Sequence, residues 1–308
     1  MAQIWLNGKS CSGKTQRLVA AIQEHHNHQF QLKVQDQKSM LILAANNRNQ
    51  RELADAIQQK LQGQGNFISK TPLGFMADEV ELFLPIICET LSLEPKYPLR
   101  LRPELEQKYA TDLWEPRFQA WDLNLSGRSL SRLVRRLLDL LQLAGAAMVP
   151  PEEIGDHLQA GQLSLLSGSV LYGQDDTLSA ITADLTDLLL DWRNWCLEKG
   201  FLTYGIIYEL YWRHLLPNSV YTTQLLERFD SIWGDDVHDY PAIAKRLCEV
   251  FLDAGCTAMF TANPDGQTRL GLNADPDYLG TLASSCETIP YEIFTNISER
   301  VKRIYFQE

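Results

Sequence analysis

The sequence predicts an α/β fold in which a parallel sheet is interrupted by a large all-α insertion. Short apolar runs alternate with amphipathic stretches near both ends of the chain, which is typical of strand–helix–strand units. Helical periodicity prevails between these two parts. We therefore expect an α/β domain formed by residues 1–80 and 217–308, and a helical insertion subdomain over residues 81–216.

The first part of the chain alternates strand and helix. Apolar runs predict buried strands at 3–7, 39–44 and 66–70. Helices are expected over 15–22 and 51–61, and Gly63 and Gly65 end the second of them.

The middle of the chain is predicted to be mostly helical. Leucine and valine recur on one side of 129–143, and further helices are expected over 178–198 and 208–215. The α/β pattern then returns, with strands at 229–234 and 256–262. A helix between them begins at Pro241, a residue favoured in the first helical turn, and ends before Gly255.

A glycine-rich turn joins the first strand to the first helix with the spacing G-x-x-x-x-G-K-[ST], the Walker A or P-loop pattern. Its residues are Gly8, Lys9, Ser10, Cys11, Ser12, Gly13, Lys14 and Thr15. The glycines let successive backbone N–H groups point into one concavity that holds phosphate oxygens. Lys14 is expected to reach the β- and γ-phosphates of ATP, and the Thr15 hydroxyl to ligate Mg²⁺. The alternative is a purely structural glycine-rich turn.

A second candidate site, formed by acidic residues, follows the predicted strand at 229–234. Because ligands bind at the carboxyl ends of parallel strands, Asp235 is expected to hold Mg²⁺, directly or through water. Asp236 is the candidate general base that orients the attacking water. A solvated acidic loop is the alternative. Gln267 follows the next strand and either senses the γ-phosphate or caps a turn.

Composition limits the classes of protein that the chain can belong to. The net charge of -11 argues against binding nucleic acid by bulk attraction but leaves room for a local basic groove. We find no apolar run long enough to span a membrane and no signal peptide. The six cysteines form no C-x-x-C pair, which favours reduced thiols in a cytoplasmic protein.

The order of these motifs resembles that of superfamily 1 DNA helicases of the UvrD/Rep/PcrA type. After the Walker A loop, segments 46–52, 71–75 and 202–210 are similar to that family's next motifs. Segments 235–239 and 263–267 are similar to its D-E-x-Q-D and G-D-x-x-Q motifs.

This resemblance implies a RecA-like motor domain that hydrolyses ATP while acting on single-stranded DNA in repair or recombination. It places Asn47, Arg48, Thr71 and Phe75 along the DNA track, where an aromatic ring stacks on a base and polar groups hold phosphates. Core packing is an equally good interpretation of Phe75.

The chain also departs from the family. Asp236 stands in place of a glutamate and is one methylene shorter, and His238 stands in place of a glutamine. The second motor domain, with its arginine fingers, has no counterpart, so we expect slow or absent hydrolysis unless a protein partner supplies it. One alternative is a non-catalytic, ATP-gated interaction module or a helicase remnant. Another is a small-molecule P-loop kinase, which leaves segment 46–52 unexplained.

Overall fold

The computed structural model describes residues 2–31, 38–120, 127–160, 175–266 and 273–291. The chain divides into two compact units. The sheet unit consists of Met1–Phe75 and Ser219–Glu308, and the helical unit consists of Met76–Asn218.

The strands of the described residues are β1 (Gln3–Asn7), β2 (Ser39–Ala44), β3 (Phe67–Lys70), β4 (Leu99–Arg100), β5 (Phe201–Leu202), β6 (Phe229–Asp235), β7 (Thr257–Ala262) and β8 (Glu287–Pro290). The α-helices are α1 (Lys14–Gln31), α2 (Asn47–Lys60), α3 (Pro72–Leu82), α4 (Leu84–Leu91), α5 (Pro103–Ala120), α6 (Gly127–Ala146), α7 (Ile154–Ala160), α8 (Asp175–Lys199), α9 (Tyr204–Leu210), α10 (Ser219–Arg228), α11 (Ile243–Asp253) and α12 (Pro276–Gly280). Short helical turns cover Pro151–Glu153, Tyr211–Leu215, Val237–Asp239 and Thr281–Ser285.

The sheet unit contains a six-stranded sheet in the order β3-β2-β6-β7-β1-β8, and its neighbouring strands pair in parallel. This confirms the α/β class and the parallel sheet that the alternating pattern predicts. Ala44 pairs with Asp235, and Asn7 pairs with Ala262. The carboxyl ends of the four central strands therefore lie along one edge, and the loops that leave these strands share it.

Strand β8 is a difference from the sequence-based prediction. It adds to the free edge of β1, where Ile289 pairs with Leu6 and the Tyr291 N–H donates to the Asn7 carbonyl at 2.7 Å. Its four residues include the polar Glu287 and Thr288, and most of it is exposed. Because edge strands do not need the apolar run of a central strand, periodicity gives no signal for it.

Helices α1 and α2 cover one face of the sheet and form an apolar cluster with it. The cluster is built from buried side chains of α1, α2 and the strands, including Leu18, Ile22, Ile57, Trp233 and Met259. Apolar residues on the helices recur at helical spacing, so each helix buries one stripe against the sheet. This packing fixes the start of α1 above the carboxyl ends of the strands.

The helical unit packs around aromatic side chains. Trp192 lies between Trp114, with ring centroids 5.9 Å apart, and Trp195, at 5.4 Å. The Trp114 indole N–H donates to the Leu188 carbonyl. The unit was expected to be all-α, and the structure adds one short parallel pair, β4 with β5. This pair satisfies backbone groups where the chain enters α5 and leaves α8.

Among the described residues, no helix is both long enough and apolar enough to cross a membrane.

Candidate functional site

The Gly8–Thr15 loop leaves β1 and turns directly into α1, which begins at Lys14. Cys11 and Gly13 adopt positive φ values of 61° and 91°, so the backbone curls back on itself. The Gly8 N–H donates to the Ala262 carbonyl at 3.0 Å. A Cβ atom on Gly8 would lie 2.4 Å from the Tyr291 carbonyl oxygen, so only glycine fits there.

The start of α1 has features that favour an anion. The helix has 18 residues, and its first backbone N–H groups have no earlier carbonyl within the helix to bind. The positive end of the helix dipole adds to their attraction for negative charge. The Ser12 hydroxyl oxygen is buried and has no hydrogen-bond partner among the residues that the structure describes. A bound oxyanion would supply that partner.

Lys14 folds back over the same loop. Its ammonium group donates to the Lys9 carbonyl at 3.0 Å and lies 3.9 Å from an Asp236 carboxylate oxygen. The side chain is only 6% exposed. A lysine this buried is retained where its charge is matched. Asp236 provides part of that match, and an anion in the loop would provide more.

Asp235 connects the loop to the end of β6. The Thr15 hydroxyl donates to its carboxylate, at 3.0 Å from one oxygen and 3.1 Å from the other. The Thr261 hydroxyl, on the neighbouring strand β7, donates to the same carboxylate at 2.8 Å. The carboxylate is therefore held from two sides, and Asp235 is only 5% exposed.

Burial, together with the smaller effect of the adjacent Asp236 carboxylate, raises the pKa of Asp235 to about 6. The Thr261 and Thr15 hydroxyls and the Lys14 ammonium act in the opposite direction by stabilising the ionised form. Near neutral pH the site therefore holds a carboxylate whose charge is incompletely compensated. Such a group gains from a bound cation.

Asp236 is held in an unusual conformation. Its φ of 52° is in the left-handed region, which non-glycine residues rarely adopt. The Asp236 N–H donates to the Thr261 hydroxyl at 2.8 Å. One residue earlier, the Asp235 carbonyl accepts from the buried Tyr240 hydroxyl at 2.9 Å. These two contacts fix the backbone where β6 ends and direct the Asp236 carboxylate towards Lys14.

A cleft of about 740 Å³ opens above these groups. It is lined by the loop residues Lys9 to Thr15 and by Gln16, Asp236, His238, Asp239, Asn263, Asp265 and Gly266. The Asn263 side-chain amide donates to the Ser10 hydroxyl at 3.1 Å, and its backbone N–H donates to His238 Nδ1. The segment after β7 thus contacts both the Gly8–Thr15 loop and the segment after β6.

The donor set suits a small divalent cation. The Thr15 hydroxyl keeps its lone pairs while its proton points to Asp235, so both residues present oxygen ligands of the kind that Mg²⁺ prefers. Adjacent oxygen ligands of an octahedral Mg²⁺, each at about 2.1 Å, lie roughly 3 Å apart. The Thr15 and Asp235 oxygens already have this separation, at 3.0 Å.

The residues predicted to contact DNA lie outside this cleft. Asn46 caps α2 by accepting from the Arg48 and Asn49 N–H groups, so Asn47 and Arg48 lie in the first helical turn. This turn begins four residues before the expected helix start at Arg51, because Asn46 is a strong capping residue.

Thr71 directly precedes α3, and Phe75 lies in the first turns of that helix. The Thr71 hydroxyl accepts from the Gly74 N–H and caps α3. Phe75 is 2% exposed and packs edge-on against Phe229, with centroids 5.9 Å apart. Core packing therefore accounts for Phe75, and its ring has no free face on which a base could stack. Gln267 lies outside the described residues.

Two residues that contact the acidic pair, Thr261 and Tyr240, were not predicted from the sequence motifs. Thr261 follows the apolar run at 258–260, and a hydroxyl at the end of that run was the signal that the sequence offered. The sequence around Tyr240 gives no indication of its role, because its contact with the Asp235 carbonyl depends on the turn at Val237–Asp239.

No known protein-family model matches the chain, and no curated protein matches it. The function of this chain is therefore inferred from the geometry of the cleft.

Proposed function

We propose that the chain binds ATP with Mg²⁺ in this cleft and hydrolyses it, as a RecA-like P-loop motor domain of the UvrD helicase type does. The observation that carries the proposal is the 3.0 Å contact between the Thr15 hydroxyl and the Asp235 carboxylate. This contact brings together the two proposed metal ligands, which are far apart in the sequence.

The Gly8–Thr15 loop and the two aspartates each have a chemical role in the proposal. The loop N–H groups and the start of α1 bind the phosphates, and the Lys14 ammonium neutralises charge on the transferring phosphoryl group. Thr15 and Asp235 hold the metal. Mg²⁺, when bound, neutralises negative charge that develops on the phosphate oxygens. Asp236 accepts a proton from the attacking water.

Hydrolysis by this chain alone is expected to be slow. The Asp236 side chain is shorter than glutamate, and one of its oxygens lies 3.9 Å from the Lys14 ammonium. Arginine fingers, which contribute factors of about 10³ to 10⁵ in related phosphoryl transfer, would come from a second motor domain or a protein partner.

Action on single-stranded DNA is part of the proposal. Ala44 pairs with Asp235, so the segment from β2 to α2 leaves the same sheet edge as the acidic pair. Arg48 lies in that segment. Its side chain is 85% exposed and pairs with Glu52, a surface contact that a phosphate could replace at little energetic cost. Backbone phosphates are the ligands that such an arginine would take.

The test is nucleotide binding and turnover by the whole chain, with and without single-stranded DNA. Lys14→Ala and Asp235→Asn should each weaken Mg²⁺-dependent ATP binding at least tenfold. Matched controls are Lys60→Ala in the last turn of α2 and Asp253→Asn at the end of α11. Absence of Mg²⁺-dependent ATP binding in the wild type would refute the proposal.

A second candidate function is the non-catalytic, ATP-gated interaction module. It is favoured by the Lys14–Asp236 approach, which holds the candidate base against the lysine. Tight ATP binding with no turnover at any DNA concentration would select this alternative. Turnover that rises with DNA and disappears in Lys14→Ala would exclude it.

A further inference from the structure

We infer that Thr261 is the positioning residue of the acidic pair, and that its hydroxyl sets how strongly the cleft holds Mg²⁺. The inference rests on the proposed function and deepens it. It assigns a role to a residue outside the Walker A loop and the acidic motif. Thr261 lies on β7, and its side chain is fully buried.

The Thr261 hydroxyl uses its proton and a lone pair on two different partners. It donates to an Asp235 carboxylate oxygen at 2.8 Å and accepts from the Asp236 N–H at 2.8 Å. A hydroxyl is the smallest group that can do both at once. Serine shares this ability, whereas valine has the shape of threonine but neither function.

The first contact orients the metal ligand. The Asp235 carboxylate also accepts from Thr15, so Thr261 and Thr15 together fix the plane of the carboxylate. Hydrogen bonds of this kind to a ligating carboxylate determine its orientation, and their loss typically costs 10- to 100-fold in metal affinity or activity. Thr261 does not itself line the cleft.

The second contact stabilises strained backbone. Asp236 has a φ of 52°, a conformation that is costly for a residue with a Cβ atom. The hydrogen bond from its N–H to Thr261 offsets part of that cost. Without the bond, Asp236 is free to relax and its carboxylate leaves its position beside Lys14.

The test compares Thr261→Val with Thr261→Ser in the whole chain. We would measure binding of a fluorescent ATP analogue as Mg²⁺ is increased, and again in EDTA. Thr261→Val should raise the Mg²⁺ concentration at half-saturation 10- to 100-fold and leave binding in EDTA unchanged. Thr261→Ser should stay within threefold of the wild type. Thr257→Val, at the other end of the same strand, is the matched control.

The outcomes separate this inference from the proposed function. A Mg²⁺ dependence in Thr261→Val equal to that of the wild type would overturn the inference and leave the proposed function intact. A wild-type chain without Mg²⁺-dependent binding would overturn both. A general packing defect would weaken binding in EDTA as well, and this too would overturn the inference. Should Thr261→Val not fold, Thr261→Ala removes the same hydroxyl without placing a methyl group beside the carboxylate, and the same criteria apply.

Discussion

The Thr15 hydroxyl and the Asp235 carboxylate meet at 3.0 Å although 220 residues separate them in the sequence. The contact lies between the first helix of the sheet unit and the end of its central strand β6. This contact makes the nucleotide proposal specific, because the proposal requires both side chains to bind the same metal ion.

Asp235→Asn should have opposite effects on stability and on metal binding. Burial and Asp236 raise the folded pKa of Asp235 from 3.8 to about 6. A raised carboxyl pKa contributes stability that is fully present below pH 3.8 and is lost as the pH rises through 6. Removing the charge should therefore stabilise the metal-free protein at pH 8, by up to about 3 kcal/mol from a shift of roughly two pKa units.

Thermal unfolding without Mg²⁺ at pH 4 and pH 8 measures this effect. The melting temperature of Asp235→Asn should exceed that of the wild type at pH 8, and the difference should shrink at pH 4. Asp253→Asn, which changes an exposed carboxylate at the end of α11, is the control for the substitution itself. A melting temperature for Asp235→Asn below that of the wild type at pH 8 would contradict the cause given for the raised pKa.

Alkylation of Cys11 should block nucleotide binding. Cys11 is exposed within the Gly8–Thr15 loop, whereas the other cysteines are buried or partly buried. A maleimide adduct there would fill the concavity that is proposed to hold phosphate. ATP with Mg²⁺ should in turn slow the labelling. Cys11→Ser, treated with the same reagent, is the control and should keep its affinity; full ATP affinity after complete modification of Cys11 would speak against the site.

Arg193→Met should destabilise the helical unit by about 3–5 kcal/mol, because it leaves a buried carboxylate poorly compensated. Glu209 is 1% exposed and accepts from Arg193 Nε at 2.6 and 2.8 Å, with Arg213 further away at 3.5 Å. Urea unfolding at pH 7 measures the loss.

The double variant Arg193→Met with Glu209→Met should recover most of this stability, since the buried carboxylate is then removed together with its partner. The exposed Arg246–Glu249 pair is the control, and Arg246→Met should cost at most about 1 kcal/mol. Equal losses of stability in Arg193→Met and Arg246→Met would mean that burial of Glu209 has little energetic effect.

Gly205→Ala should destabilise the packing of α6 on α9. A Cβ atom at Gly205 would lie 2.9 Å from the Leu141 backbone carbonyl carbon and oxygen, and one at Gly145 would lie 2.7 Å from the Gly205 oxygen. Backbone atoms cannot move aside alone, so we expect a cost of about 1–3 kcal/mol in urea unfolding. Gly280→Ala in α12, where a Cβ meets nothing within 4 Å, should be neutral or stabilising.

The sequence by itself determined the strand–helix alternation of the sheet unit. The strands at 3–7 and 39–44 were predicted with the bounds that the structure gives them. A central strand of a parallel sheet is an apolar run, and the chain must bury that run whatever surrounds it. The Gly8–Thr15 loop could likewise be predicted from the sequence, because its glycines and Lys14 occur at a fixed local spacing.

Only the tertiary structure decided which distant groups meet. The place of β8 beside β1, the burial of Phe75 against Phe229, and the hydrogen bonds of Thr261 all depend on strand order and register. Local periodicity carries no information about which strands become neighbours. For Phe75 the sequence left a base-stacking ring and a core ring equally open, and the packing of α3 in the fold selected the core.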